Sequence, residues 1–224
     1  MIRKLVIQTL SVVFLAVLLF VPAGTLAWLQ AWIFLALFIG CSIVIGVWLK
    51  KTNPDLLAER MKPILSADQK PRDRMIIIAM LLFFYAWFVF MALDAQRFGW
   101  SHTPLWAQAL GAVLIVAAFC GWAQVLQANS FASVMVRLQK DRGQTVISTG
   151  PYAVVRHPMY SYALLLMVGE PLLLGSLWGL LGLVLFIPLL GLRALGEEAM
   201  LMEGLDGYRD YAAKVRFRLL PGIW

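Results

Sequence analysis

Residues 150–160 read Gly150-Pro151-Tyr152-Ala153-Val154-Val155-Arg156-His157-Pro158-Met159-Tyr160. A turn pair, a cationic pair, a proline and two tyrosines stand at the doorway of an apolar run. Pro158 fits the first turn of a helix, where its missing N–H costs nothing, and His157 then stands at or beside the cap. Unpaired backbone N–H groups at such a helix start favour an anion. Beyond the next apolar run come Arg193 and then Glu197-Glu198. A polar cluster at each end of one helical hairpin is a poor design for a plain anchor. It suits a site facing the membrane surface.

The rest of the composition frames that hairpin. Of 224 residues, 62% are hydrophobic and 14% charged, with mean hydropathy +0.81, which excludes an ordinary soluble domain. No Gly-x-Gly-x-x-Gly occurs, so a soluble dinucleotide fold has no support. Cys41 and Cys120 lie alone in apolar runs and read as small buried hydrophobes. His102 and His157 are the only histidines, so no multi-histidine metal site is available and no metal is expected.

Apolar runs at about 5–21, 27–49, 75–93, 104–128, 159–174 and 177–192 predict an all-α integral membrane protein with a bundle of about six transmembrane helices. The last two runs have about 16 residues each and predict a short fifth–sixth hairpin, turned at Gly175-Ser176, with Arg193 ending the sixth run. The loop over 50–74, with Pro54, Pro63 and Pro71, is expected to carry a short interfacial helix. Residues 129–149 are too polar to span and read as irregular or short extended structure along one face. With the N-terminus inside, 18 of the 19 basic residues fall on the cytoplasmic side and only Arg97 outside. That bias predicts cytoplasmic N- and C-termini. The net charge of +7 then reflects topology and attraction to anionic lipid, with no nucleic-acid partner.

Several side chains have competing readings. Arg156-His157 can snorkel to lipid phosphates, or, with Tyr152 and Tyr160 beside it, bind a cation or a flat base. Arg193 suits a carboxylate, yet at i,i+4 from Glu197 it can pair with that residue instead. Glu197 and Glu198 can accept from hydroxyls or an amino group. Glu170, at membrane depth before Pro171, is a functional candidate by default, expected near a hydrated surface. Tyr208, Tyr211 and Val215 share one side of an amphipathic C-terminal segment, broken from the preceding helix at Leu205-Asp206-Gly207.

The ordered set Gly150-Pro151-Tyr152, Arg156-His157-Pro158-Met159-Tyr160, Arg193, Glu197-Glu198, Gly207-Tyr208-x-x-Tyr211 and Arg218-Leu219-Leu220-Pro221-Gly222 resembles the isoprenylcysteine carboxyl methyltransferase family, which shares much of it with phospholipid methyltransferases. The resemblance covers roughly 129–224. It implies one continuous membrane domain with N-terminal transmembrane helices over 1–128 and a catalytic region over 129–224 that binds S-adenosyl-L-methionine. By position it carries donor contacts to Gln144, Thr145, Val146, Ile147, Tyr152, His157, Pro158, Met159, Tyr160 and Glu197. Arg193 becomes the catalytic contact to the acceptor, with Arg156 and Glu198 as further candidates. The family commonly has histidine where Gln144 stands. The implied acceptor is hydrophobic or lipid-like, for example an isoprenylcysteine carboxylate, and the implied location is a bacterial inner membrane. A nicotinamide-dependent sterol-reductase-like enzyme and a non-catalytic membrane scaffold are the alternatives. The sequence leaves oligomeric state open.

Overall fold

A computed structural model describes residues 2–62 and 71–224, without the side chains of 2–9 and 72. The side chains of Arg3 and Lys4, and Pro63, therefore lie outside the described residues. The described chain is all helix and loop. The long elements are α1 (Ile2–Ala23), α2 (Leu29–Thr52), α4 (Pro71–Ala92), α5 (Leu105–Ala128), α6 (Pro158–Leu174) and α7 (Gly182–Gly204); α3 (Pro54–Arg60) and α8 (Tyr208–Lys214) are short. A π-helical run, Leu93–Phe98, extends α4.

Four helical stretches are long and apolar enough to cross a membrane: Leu29–Thr52, Asp73–Phe98, Leu105–Ala128 and Trp178–Gly204. Leu10–Ala23 and Pro158–Leu174 are apolar but shorter. Large apolar side chains such as Val44, Leu82, Val113 and Val184 face outward. Apolar surface on that scale belongs in lipid, and the chain is an integral membrane protein.

The expected short hairpin holds for its first arm alone. α6 has 17 residues and stops at Gly175 (φ 94°), a left-handed turn that suits a residue without a side chain. The second arm is corrected: α7 continues through Arg193, Glu197 and Glu198 to Gly204. Those charges end the apolar run but not the helix, because each finds a partner within the bundle. The loop helix is present as α3, capped by Asn53, whose Oδ1 accepts from Leu56 N–H at 3.1 Å. Residues 129–149 are irregular, with one 3-10 turn at Lys140–Arg142.

α5 and α6 make the closest helix pair. A Cβ on Gly111 would lie 2.5 Å from Leu173 N and 2.6 Å from Gly169 O, and one on Gly121 would lie 2.2 Å from the Tyr162 ring. Small residues at such crossings let backbones approach where lipid supplies no hydrophobic drive between helices. An aromatic core of Phe34, Phe84, Phe88, Trp87 and Phe186 ties α2, α4 and α7 together.

The two ends of the bundle differ. At one end α3, residues 129–157 and the C-terminal segment meet: Asn53 Nδ2 donates to Ser130 Oγ at 3.0 Å and Arg60 to Ala132 O at 3.0 Å. At the other end Asp94 accepts from Ser101 (2.7 Å) and Ser176 (2.6 Å), and Thr103 donates to Leu172 O (3.1 Å). Arg97 belongs to this second end, against Gly24. Glu170 was expected near hydrated surface; it is fully buried, and neither carboxyl oxygen has a hydrogen-bond partner among the described residues.

Candidate active site

The α6 entrance is fixed from two directions. Trp122 of α5 donates to Met159 O at 3.0 Å. The C-terminal segment accepts from Arg156 N–H (Phe217 O) and His157 N–H (Arg218 O), both at 2.9 Å. Ser161 Oγ donates to Leu219 O. Trp224 O in turn accepts from the amides of Arg218, Leu219 and Leu220, and the Arg218 guanidinium lies 5.1 Å over the Trp224 ring. The ending of the chain is thus a fastener for the entrance. It also uses up N–H groups that the sequence reading left for an anion.

α7 brings its acids to the same place. Glu198 is buried and meets three cations: Arg156 Nε at 3.1 Å, His157 Nε2 at 3.1 Å and Arg218 Nε at 3.0 Å. Glu197, with 30% of its side chain exposed, accepts from Tyr160 Oη at 2.8 Å and lies 3.6 Å from His157 Nδ1. The His157 and Tyr160 rings are stacked, 5.5 Å apart and 9° from parallel. Burial pushes the His157 imidazole down, but its hydrogen bonds and charge contacts with Glu197 and Glu198 outweigh that and hold it above its ordinary value.

These groups border an open-mouthed cleft. Gln144, Thr145, Val146 and Ile147 line one side, and Tyr152, Arg156, His157, Met159, Tyr160 and Glu197 line the helix side. Pro158 is buried beneath the wall, and Glu198 sits behind His157. Gln144 Oε1 is spent on Gln139 N–H at 2.7 Å, so this side chain shapes the loop as well as the wall. Arg193 does not line the cleft. It donates to Val134 O and stands 4.0 Å from Asp73 of α4, and it is not paired primarily with Glu197.

Several lining residues escaped the sequence reading. Tyr208 and Tyr211, read only as one side of an amphipathic segment, both face the cleft, and Tyr211 Oη donates to Tyr152 O at 2.8 Å. Asn129 Nδ2 donates to Tyr152 Oη at 2.8 Å. Burial pushes the Tyr152 and Tyr208 phenols up, and that of Tyr211 up to about 12, so all three remain neutral donors. Arg137 also lines the cleft, held by Glu59 of α3. No spacing rule joins a residue of the 50–62 region to one at 137; the tertiary fold does.

The cleft combines aromatic faces, an acceptor carboxylate, neutral phenols and an apolar corner of Leu201, Met200 and Val146. That set suits an organic cation carrying a flat base and hydroxyls. Comparison with known proteins agrees in kind. A family model described as phospholipid methyltransferase matches residues 106–205, from α5 through α7. The resemblance drawn from the sequence is borne out at that level, and the match indicates a membrane methyltransferase. No curated protein matches the chain.

Proposed function

Because residues 106–205 carry the phospholipid methyltransferase pattern, we propose that this chain transfers a methyl group from S-adenosyl-L-methionine to a hydrophobic or membrane-embedded acceptor. One observation carries the reading: His157 and Tyr160 at the entrance of α6 and Glu197 of α7 meet on a single cleft inside the matched segment. When bound, the donor supplies an electrophilic methyl on a sulfonium. The residues present fit it. The Tyr152, Tyr160, Tyr208 and Tyr211 faces suit the sulfonium. Glu197, already accepting from Tyr160, has lone pairs left for ribose hydroxyls or an amino group. The apolar corner suits adenine.

The chain's part in the chemistry is positioning and exclusion of water, since an in-line displacement by an ionised acceptor needs no general base. Tyr160 is fixed by its bond to Glu197 and by stacking on His157. Arg193 stands behind this wall, close enough to interact with the Tyr160 phenol, where it can meet an acceptor head group arriving from lipid. An isoprenylcysteine-like carboxylate is the acceptor that best suits a guanidinium. The basic end of the bundle, where the cleft opens, is assigned to the cytoplasm by charge bias, and a bacterial inner membrane is the proposed location.

Calorimetry on the purified chain in detergent and in lipid tests the donor. Binding of S-adenosyl-L-methionine or its demethylated product is expected, and absence of both from both media sinks the proposal. Membrane extract incubated with isotopically labelled donor then identifies the acceptor by mass spectrometry.

A further inference from the structure

An amino-acid carboxylate entering the cleft needs a cation, and the helix start does not provide an anion site. Pro158 has no N–H, the Arg156 and His157 amides serve Phe217 and Arg218, and the Tyr160 and Ser161 amides return to His157 O. Met159 N–H is at most what remains.

Three cationic side chains line the cleft: Arg137, Arg156 and His157. Arg156 is buried on Glu198 and also reaches Arg216 O. His157 has both ring nitrogens on Glu197 and Glu198. Arg137 differs, with 29% of its side chain exposed. One edge of its guanidinium is held by Glu59, through Nε at 3.0 Å and Nη2 at 2.9 Å. Glu59 is itself buried and gripped by Lys62. Burial pushes that carboxyl up, but Lys62 and Arg137 together hold it below the usual carboxylate range, so it stays charged. Among the described residues the Nη1 edge meets Asp141 alone, at 3.5 Å, and the Asp141 side chain is 63% exposed. A long pair with an exposed partner contributes almost nothing and yields readily to a better carboxylate.

Resting on the donor reading above, we propose that Arg137 binds the amino-acid carboxylate of the donor, with Glu59 as its positioning residue and Asp141 as a weak occupant that gives way. Glu59 fixes one edge of the fork and turns the other toward the cleft. α3, outside the matched segment, thereby completes the donor site.

Two ligands separate recognition of the carboxylate from general damage. S-adenosylhomocysteine carries the carboxylate, and methylthioadenosine keeps the base, ribose and thioether without it. In calorimetry on the full chain, Arg137→Met should weaken S-adenosylhomocysteine by about 10–100-fold, the range for one charge-assisted contact. Methylthioadenosine should bind as to wild type, and Arg137→Lys should fall between. The exposed Asp141→Asn should tighten S-adenosylhomocysteine slightly, about two-fold, and leave methylthioadenosine alone. Equal losses for both ligands in Arg137→Met, no loss for either, or weakening of S-adenosylhomocysteine in Asp141→Asn each overturns the assignment. A wild-type chain that binds neither ligand overturns the donor reading itself, and this proposal with it.

Discussion

Glu198→Gln keeps the shape of the side chain and removes one charge from a buried junction. In the wild type that carboxylate faces Arg156, His157 and Arg218 at 3.0–3.1 Å, with Arg156 and His157 both buried. Removing one partner of a buried ion pair costs about 3–5 kcal/mol, because the remaining charge has nowhere to go. His157 can release its proton and recover part of this, whereas Arg156 cannot. Arg218 is more exposed and can turn to solvent. The loss is therefore set by Arg156 and should fall near the lower end, about 3 kcal/mol. Unfolding in mixed detergent micelles, followed by tryptophan fluorescence, measures it. Glu197→Gln is the control. Its carboxylate is partly exposed and has one close partner, the Tyr160 hydroxyl, so a loss of about 1 kcal/mol is expected. If Glu198→Gln unfolds within about 0.5 kcal/mol of wild type, the junction is not a structural keystone and the reasoning fails.

Other expectations follow from the same geometry. Gly111→Ala forces a methyl against the α6 backbone and should cost at least about 1–3 kcal/mol by the same assay; Gly196→Ala, which meets nothing within 4 Å, should stabilise by about 0.5–1 kcal/mol. His157 has a raised folded value, so its stabilising contribution is complete below about pH 6.5 and is lost as pH rises from there through the higher folded value. Wild-type unfolding midpoints should fall over that alkaline approach, and His157→Gln should flatten the profile. Glu197→Ala should weaken donor binding in calorimetry, whereas Arg193→Ala should leave it near wild type and depress turnover with labelled donor; equal wild-type behaviour of both removes their assigned roles.

The fold was legible where apolar runs are long. α2, α4 and α5 lie close to where hydropathy placed them. α7 was cut short because Arg193, Glu197 and Glu198 look like a boundary in one dimension, and their burial against Asp73, Tyr160 and His157 cannot be seen there. Gln144 to Ile147, the Arg-His-Pro start and Glu197 gather at one cleft, and ordered motifs had hinted at that. Tyr208, Arg137 and Glu59 were not legible in this role, because a residue's membership in a wall depends on which loop crosses which helix.

The fastener formed by residues 216–224 and the brace from α3 both lie outside residues 106–205. A transplant of that segment alone into another membrane scaffold would move the cleft-facing side chains of α6 and α7 without the parts that aim them. Chimaeras between relatives should therefore exchange the last nine residues and the α3 turn as a set with the central helices, or the graft will arrive with its register unguarded.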